Sequence, residues 1–214
     1  NIIPHNSDIN KLKEYLLNVR DLDFDAVIVA DPGILMHVKK YWPEVEIHLS
    51  TQANNTNYES AKFWHDQGVK RVILARELSL DEINEISKKT PKSLEIEAFI
   101  HGAMCISYSG RCLLSNYMAN RDSNRGACAQ PCRWNYSLVE KTREGEYFDV
   151  YEDERGTHIF NSRDMNLIKK IPKLIESGLS SLKIEGRMKS IYYVSNVVRT
   201  YRDAIDKYYK EKSN

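Results

Sequence analysis

The stretch DAVIVADPGILMHVKKYWPEVEIHLS, residues 25–50, joins two short apolar runs through a helical segment. The strand candidates of this chain are apolar runs rather than clean alternations of apolar and polar residues. That pattern is typical of parallel strands that are covered on both faces. Asp31-Pro32-Gly33 separates the first run from a helical segment that continues to Tyr41. The stretch therefore predicts a strand–helix–strand unit of an α/β fold.

The same unit recurs along the chain. Six strand candidates occupy residues 25–30, 46–50, 71–75, 94–100, 157–161 and 180–185. The chain opens with a helix of about residues 8–19 that has no strand before it. Because a (β/α)8 barrel usually takes about 250 residues, we expect residues 1–214 to form one TIM-barrel-like catalytic domain that lacks its first two βα units. A doubly wound open sheet is the alternative, although the first βα loop has no G-x-G-x-x-G, which disfavours its dinucleotide-binding form.

Local signals predict where several helices begin, end and pack. Ser79 and Glu82 have the form of a capping box at a helix start. Pro172 is expected to break or kink a helix, and Gly178 is well placed to end it. The last helix carries large side chains at the spacing of one buried face, namely Ile191, Val194, Val198, Tyr201, Ile205 and Tyr208.

Residues 101–156 interrupt the repeat. The first part of this insertion is a loop that holds all the cysteines of the chain. The second part has two β-rich segments on either side of Glu144-Gly145, which predicts a β-hairpin. We therefore expect a Cys-rich loop followed by a hairpin excursion.

Composition narrows the class of protein. Apolar residues make up 42% of the chain and charged residues 29%, with a formal net charge of +1. These values are ordinary for a soluble globular protein and give no general attraction to nucleic acids or membranes. No apolar run reaches the ~18 residues of a membrane span, and no signal peptide is visible, so we expect a cytoplasmic protein. Thiols stay reduced there, and clustered cysteines then hold metal or perform redox chemistry more often than they form disulfides.

The cysteines are the most informative residues of the chain. They fall within 28 residues at the spacing C-x6-C-x15-C-x3-C, as Cys105, Cys112, Cys128 and Cys132. Thiolates gathered in this way bind soft or borderline metals. Structural zinc sites usually show two tight cysteine pairs, and only the second pair is tight here. The spacing favours an iron–sulfur cluster, whose ligands stand further apart, with zinc, disulfides or inert thiols as alternatives.

The cysteine loop follows a strand candidate that ends at Ile100. In βα folds the loops at the carboxyl ends of the strands build the active site, so we expect the cysteines at the mouth of the barrel. The segment from Cys105 to Arg133 contains one aspartate and four arginines, which are Arg111, Arg121, Arg125 and Arg133. Arginines there can offset the charge of thiolates, or they can bind carboxylates and phosphates through paired hydrogen bonds.

The segment EAFIHGAMCISYSGRCLLS, residues 97–115, resembles the signature of the peptidase U32 family. Four further segments also resemble landmarks of that family: LSTQANNTN at 49–57, NRGACAQPCRWNY at 124–136, NSRDM at 161–165 and SLKIEGRMKSIYYVSNVVRTYR at 181–202. The resemblance covers nearly the whole chain. It implies a barrel-like catalytic domain, in agreement with the repeat.

The resemblance implies two different activities. The family name indicates proteolysis, some members are called collagenases, and a cysteine peptidase could pair Cys105 with His101. Other branches imply oxygen-independent hydroxylation of a tRNA wobble uridine, a ribosomal RNA cytidine or ubiquinone precursors. Those branches use cysteine-ligated iron–sulfur clusters, and the tRNA branch draws on prephenate. By resemblance, the four cysteines would hold a 4Fe–4S cluster. The chain has no H-E-x-x-H and no G-x-S-x-G, so we expect RNA hydroxylation, most simply of tRNA uridine, with a peptidase as the alternative.

Polar residues near strand ends and around the cysteines supply the other site candidates. The candidate catalytic residues are His101, Lys183, Glu185 and Arg187. The candidate substrate-binding residues are Gln52, Asn54, Arg125, Arg133, Asn161 and Arg163. Structural roles remain open for several of them, since residues 183–187 could form an ion-paired rim, His101 could orient Cys105, and Gln52 and Asn54 could shape a turn.

The sequence also bears on partners. No phosphate-binding stripe runs down any predicted helix, so an RNA substrate would need a further C-terminal domain or a paralogous partner subunit for much of its affinity. A barrel that lacks two units would have an open side. Because uncovered strand edges tend to pair with other chains, we expect a neighbouring molecule, such as the second copy of a dimer, to cover it.

Overall fold

The computed structural model of this chain describes residues 2–134, 137–139, 142–149, 152–153, 156–157 and 164–213. Its α-helices are α1 (Asn6–Val19), α2 (Pro32–Tyr41), α3 (Tyr58–Asp66), α4 (Leu80–Lys89), α5 (Leu114–Ala119), α6 (Ile171–Glu176) and α7 (Ile191–Lys212). Its strands are β1 (Ala26–Val29), β2 (Glu46–Leu49), β3 (Arg71–Ile73), β4 (Glu95–Gly102), β5 (Ser137–Leu138), β6 (Phe148–Asp149), β7 (Glu152–Asp153), β8 (Gly156–Thr157), β9 (Met165–Asn166) and β10 (Ser181–Ile184). Strands and helices alternate up to β4, as the repeat predicts.

The main sheet contains five parallel strands in the order β1-β2-β3-β4-β10. In a doubly wound sheet the strand order reverses at a switch point, whereas here the order follows the chain without reversal. Within the described residues the sheet is open, with β1 and β10 as the outer strands of the parallel run. The α/β class and the TIM-barrel-like arrangement are therefore confirmed in the form of a partial, open barrel.

The prediction of a sixth parallel strand between β4 and β10 is wrong. Ser181 of β10 pairs directly with Glu97 of β4, so no strand lies between them. The chain returns from the cysteine loop through short antiparallel pairings instead. Gly156–Thr157 pairs with Glu152–Asp153, and Met165–Asn166 pairs with the last two residues of β4. Residues 158–161 of the predicted strand lie outside the described part of the chain.

The two faces of the sheet have different surroundings because successive strand residues point to opposite sides. One face packs against helices α1 to α4 in a single apolar cluster. The residues of this cluster that lie in the strands, or directly after one in the case of Leu74, are Val29, Ile47, Leu49, Val72, Leu74, Ile96 and Ala98. The other face carries residues that line a cavity, among them Ile28, Ile73, Phe99 and Lys183. The sheet therefore separates an apolar core from a cavity, as the wall of a barrel does.

Local helix signals are mostly confirmed. The Ser79 hydroxyl accepts from the Glu82 N–H while the Glu82 carboxylate accepts from the Ser79 N–H, which completes the predicted capping box of α4. Gly178 follows the end of α6 with a φ of +80°, a conformation that glycine adopts without strain. Pro172 lies in the first turn of α6, where its missing N–H is not needed. It therefore begins a helix rather than breaking one.

The predicted buried face of α7 is wrong at two positions. Tyr201 is buried, and Val197 and Ile205 pack against a second cluster that also contains Ile100 and Ile171. In contrast, Ile191 is 87% exposed and Val198 is 48% exposed. Apolar residues occur at both positions 197 and 198, so spacing alone allows two faces. The position of the sheet selects the face that contains Val197.

The insertion has the predicted form where it is described. Strands β5 and β6 pair antiparallel, with Ser137 opposite Asp149, and the chain turns between them around Glu144-Gly145. The predicted hairpin is thus confirmed. The cysteine loop before it contains the short helix α5 and two single-turn 3-10 helices, Ser123–Arg125 and Pro131–Arg133. In the part of the chain that the structure describes, no helix has both the length and the apolar character to span a membrane.

Candidate functional site

A cavity of about 400 Å³ opens at the carboxyl ends of the parallel strands. Its walls come from the segments that follow β2, β3, β4 and β10 and from the cysteine loop. The polar and sulfur-bearing residues among them include Ser50, Thr51, Gln52, Arg76, Cys105, Cys112, Cys128, Cys132, Arg133, Lys183, Glu185 and Arg187. The structure thus brings all four cysteines together with five of the predicted site residues at the strand end where βα enzymes carry their chemistry.

Backbone N–H groups point at the sulfurs. The N–H of Leu114 donates to Cys112 Sγ at 3.4 Å, and the N–H of Gln130 donates to Cys128 Sγ at 3.3 Å. The N–H of Ile106 also donates to the sulfur of Cys132. Donors of this kind stabilise a thiolate more than a thiol because they bind the charged form. The loop therefore places a backbone donor against three of the four sulfurs.

The thiols are close enough to affect one another. Burial raises the pKa of the Cys132 thiol, and the neighbouring sulfurs of Cys105 and Cys128 raise it further, while Arg133 acts in the opposite direction. Several thiolates in one pocket repel each other and need a positive partner. A bound metal is the usual source of that charge in cysteine clusters.

The four cysteines can be compared with the ligands of a zinc site and of an iron–sulfur cluster, the two metal sites that their spacing suggests. In the described part of the chain, no group of three or more His, Cys, Asp and Glu side chains is arranged to hold a metal ion. A structural zinc site needs four ligands around one ion. An iron–sulfur cube takes one thiolate at each of four separated corners. Four free thiols around one cavity, with N–H donors to three of the sulfurs, fit the donor chemistry of such a cluster.

Arg76 is a site residue that the sequence reading missed. It follows β3, its guanidinium carbon lies 4.0 Å from the centre of the Phe99 ring, and Nη1 donates to the Ala103 carbonyl at 2.9 Å. Its Nε is buried and has no hydrogen-bond partner in the described structure. Burial lowers the pKa of Arg76, and the charges of Cys105 and Glu185 act against that shift. The signal in the sequence is the charged residue directly after the strand run RVILA.

Gln52 and Glu185 also line the cavity, and each has one side-chain oxygen that is unpaired among the described residues. Gln52 Oε1 and Glu185 Oε2 are buried and have no hydrogen-bond partner in the part of the chain that is described. Glu185 Oε1 accepts from the N–H of Arg187 at 3.0 Å. Gly102 allows Glu185 to approach, because a Cβ at Gly102 would collide with the Glu185 carbonyl oxygen. The cavity wall therefore contains acceptors as well as donors for a polar ligand.

Lys183 lines the cavity but is already paired. Its Nζ lies 2.9 Å from Oε1 of Glu97, and Arg71 Nη1 lies 3.4 Å from Oε2 of the same carboxylate. Burial alone would raise the pKa of Glu97, but the hydrogen bond and charge of Lys183 and the charge of Arg71 bring it below its ordinary value. Lys183 therefore has an evident structural role as the partner of a buried carboxylate.

His101 is not among the residues that line the cavity. Its Nε2 lies 3.0 Å from the Tyr193 hydroxyl, and its Nδ1 lies 3.3 Å from the Tyr201 hydroxyl. Burial lowers the pKa of His101, and Lys189 lowers it further while Asp164 opposes the shift. The imidazole is thus neutral at pH 7 and held between two tyrosines of α7. These tyrosines were not among the predicted site residues.

Asp164 connects His101 and its two tyrosines to the cavity wall. Its carboxylate accepts from Arg133 Nη1 and from the Tyr193 hydroxyl, and it lies 3.2 Å from Lys189 Nζ. Arg133 is thereby tied to α7 although it belongs to the cysteine loop. Asp164 lies in the segment NSRDM, but nothing in that segment indicates that Asp164 contacts Arg133, Tyr193 and Lys189.

The remaining predicted residues lie elsewhere. Asn54 is not among the cavity-lining residues; its Nδ2 donates to the Ser109 carbonyl, and its Oδ1 accepts from Arg111 Nε at 3.0 Å. It therefore braces the cysteine loop. Arg125 makes two hydrogen bonds of 2.8 and 2.9 Å to Asp8, away from the cavity, and these bonds hold the pKa of Asp8 well below its usual range. Asn161 and Arg163 lie outside the described residues.

Comparisons with known proteins bear on the family. The model of "Peptidase family U32" matches residues 1–214. "tRNA hydroxylation protein P1" of Bacillus subtilis (strain 168) is 48% identical over 214 residues, which are 100% of this chain and 50% of that protein. "tRNA hydroxylation protein P" of Escherichia coli (strain K12) is 42% identical over 245 residues, covering 96% of this chain and 54% of that protein. The "23S rRNA 5-hydroxycytidine C2501 synthase" of the same strain is 36% identical over 214 residues, which are 100% of this chain and 31% of that protein.

The matches therefore cover almost all of this chain but only part of each relative. This chain spans about half the length of the two tRNA hydroxylation proteins.

Proposed function

Because this chain belongs to peptidase family U32, we propose that it is the cysteine-bearing half of an enzyme that hydroxylates RNA, most simply a tRNA uridine. The observation that carries this proposal is the meeting of four free cysteines and several buried polar groups in one cavity at the strand ends. The names of the relatives support RNA as the substrate class. We also propose the cytoplasm as the compartment, because the four thiols stay reduced there.

We assign the cofactor to the cysteines. Cys105, Cys112, Cys128 and Cys132 would hold an iron–sulfur cluster, which supplies the redox chemistry that hydroxylation without dioxygen needs. The N–H groups that donate to the sulfurs would orient the thiolates and favour their charged form. Prephenate is our proposed co-substrate, and its carboxylates would find donors in the arginines of the cavity wall.

The cavity can also accommodate a nucleobase. Its volume of about 400 Å³ falls within the range of small-molecule pockets. Enzymes that modify a base inside folded RNA usually turn the base out of its stack into such a pocket. Gln52 and Glu185 offer unpaired oxygens at hydrogen-bonding positions in the wall, and Phe99 offers an apolar surface. A uracil presents both a donor N–H and acceptor carbonyls to groups of this kind.

A cysteine peptidase is less well supported by the geometry. The histidine that would activate Cys105 is His101, and both of its ring nitrogens already face tyrosine hydroxyls. His101 also lies off the cavity wall that contains Cys105. A nucleophile needs its base within hydrogen-bonding reach, and the hydrogen bonds of His101 to α7 hold it away from that role.

RNA binding would depend on more than this chain. The net charge of +1 gives little general attraction to phosphates. We propose that the remaining half of the longer protein, or a paralogous partner subunit, supplies most of the RNA affinity. The open edges of the sheet at β1 and β10 are where such a partner, or a second copy, would complete the barrel.

The test is modified-nucleoside analysis of RNA from cells that lack the gene for the full-length protein. We expect a hydroxylated pyrimidine nucleoside to disappear and to return when the wild-type gene is restored. Peptide cleavage by the purified full-length protein is measured in parallel. An unchanged nucleoside profile together with specific peptide cleavage would favour the peptidase.

A further inference from the structure

Arg133 lines the cavity and has a guanidinium edge that no other described group uses. Its Nη1 donates to Asp164 Oδ1 at 2.5 Å. Its Nε and Nη2 are buried, and neither has a hydrogen-bond partner in the described structure. The side chain is only 17% exposed and lines the cavity next to Cys132. A buried N–H group without an acceptor destabilises a protein. This edge is therefore suited to bind the acceptor atoms of a ligand.

The chemistry of that ligand follows from the geometry of the edge. Nε and Nη2 point their N–H groups in the same direction, and such a pair binds two oxygens of one carboxylate or phosphate. Arg76 lines the same cavity and also has a buried Nε without a partner in the described residues. Two arginine side chains with unused N–H groups in one cavity favour an anionic group.

Asp164 fixes the other side of the Arg133 guanidinium. Its Oδ1 accepts from Arg133, while its Oδ2 accepts from the Tyr193 hydroxyl at 2.9 Å and lies 3.2 Å from Lys189 Nζ. Burial would raise the pKa of Asp164, but Tyr193, Lys189 and Arg133 together hold it below its ordinary value. The carboxylate therefore stays ionised and ties Arg133 to α7.

Tyr193 is oriented in turn by His101. Since the Tyr193 hydroxyl gives its proton to Asp164, His101 Nε2 at 3.0 Å must donate to the Tyr193 oxygen. Burial and the charge of Asp164 raise the pKa of Tyr193 to about 12, so this hydroxyl keeps its proton. Tyr201 donates to the Ile100 carbonyl at 2.9 Å, and its oxygen lies 3.3 Å from His101 Nδ1, which carries no proton when Nε2 does.

We propose that Asp164 and Tyr193 are positioning residues that hold the Nε–Nη2 edge of Arg133 ready to bind an oxyanion in the cavity. His101 belongs to the same chain of hydrogen bonds and supports Tyr193. The oxyanion is either a carboxylate of a small co-substrate or a phosphate of an RNA nucleotide. The two candidate sources, a co-substrate and an RNA nucleotide, rest on the proposed function. The binding of an oxyanion by Arg133 rests on the geometry alone.

The test is isothermal titration of the full-length protein with two probes. Prephenate supplies carboxylates, and uridine 5′-monophosphate supplies a phosphate. Wild type is compared with Asp164→Asn, Tyr193→Phe and Arg133→Lys. Asp8→Asn is the matched control, because Asp8 pairs with Arg125, another arginine of the cysteine loop, outside the cavity. Thermal unfolding of each variant checks that the fold is kept, and Tyr193→Phe decides alone if Asp164→Asn does not fold.

We expect one probe to bind wild type and to lose about tenfold in affinity in Asp164→Asn and in Arg133→Lys, and about threefold in Tyr193→Phe. The control should stay within about twofold of wild type. The probe that responds identifies the source of the oxyanion. Binding of neither probe to wild type, an equal loss in the control, or unchanged affinity in both Asp164→Asn and Tyr193→Phe would overturn the inference. The titration needs no hydroxylation, so a failure of the proposed function appears separately, in the nucleoside analysis.

Discussion

The ammonium group of Lys183 lies 2.9 Å from Oε1 of Glu97, a carboxylate whose side chain is only 8% exposed. This pair joins β10 to β4 beneath the cavity, and Arg71 contacts the second oxygen of the same carboxylate. A strand-end lysine that the sequence offers as catalytic thus also neutralises a buried charge. The two roles predict different consequences of substitution.

Replacing Lys183 with Met should destabilise the protein. The change leaves Glu97 with Arg71 as its remaining cation, and removing one partner of a buried pair costs about 3 kcal/mol or somewhat less when a second partner remains. The free energy of urea unfolding measures this cost. Lys89→Met is the control, because the exposed pair Lys89–Glu85 is screened by water and should contribute little to stability. Equal effects of the two substitutions would show that Lys183 is not needed for stability.

His101 should titrate below its ordinary pKa of 6.5. Burial disfavours the imidazolium, so the neutral ring contributes stability that is present above about pH 6.5 and is lost as the pH falls towards the lowered folded-state pKa. Nitrogen–proton correlation NMR should show the Nε2–H tautomer at pH 7, and His101→Gln should remove that signal. A pKa above 6.5 would contradict the effect of burial, and the Nδ1–H tautomer would be incompatible with a bond donated to Tyr193.

Gly102→Ala should be much more harmful than Gly145→Ala. Both glycines have positive φ, +103° and +86°, so both substitutions carry the backbone strain of an L-residue. Only at Gly102 does the new Cβ also collide with the Glu185 carbonyl, whereas no atom of the described residues lies within 4 Å of a Cβ at Gly145. We expect a loss of about 1 kcal/mol at Gly145 and more than about 2 kcal/mol at Gly102. Similar unfolding midpoints for the two variants would contradict the close approach of Glu185.

Protein purified without oxygen should contain iron and acid-labile sulfide and should absorb near ~400 nm, as thiolate-bound clusters do. The physical reason is the donor set, with four free thiols around one cavity. Metal analysis and the absorption spectrum of the full-length protein check this. One zinc ion per chain without sulfide would indicate a structural zinc site instead.

Much of the fold could be predicted because its signals are local. The apolar runs that become β1 to β4 and β10, and the capping box of α4, are each contained in a few consecutive residues. The position of the cysteine loop after a parallel strand follows from the same local pattern. The segment 157–161 misled the prediction because an apolar run does not say which strand it pairs with, and β10 occupies that place beside β4.

Partners distant in sequence could not be predicted. Arg125 binds Asp8, which is 117 positions away, and Arg133 binds Asp164, which is 31 positions away. Both arginines look alike in the sequence, since each lies in the basic cysteine loop. In the folded chain Arg125 forms an ion pair outside the cavity, whereas Arg133 lines the cavity and has a guanidinium edge without a partner among the described residues. Arg76 was missed for the related reason that a single charged residue after a strand is common.

The central claim is that the four cysteines act as one unit in RNA hydroxylation. The most direct measurement is the level of the hydroxylated nucleoside in RNA from cells that lack the native gene and express full-length Cys105→Ala, Cys112→Ala, Cys128→Ala or Cys132→Ala. We predict that every one of the four variants abolishes the modification, because a cluster that loses a ligand is readily lost. Wild-type levels of the modified nucleoside in any of the four variants, at equal protein abundance, would contradict the account.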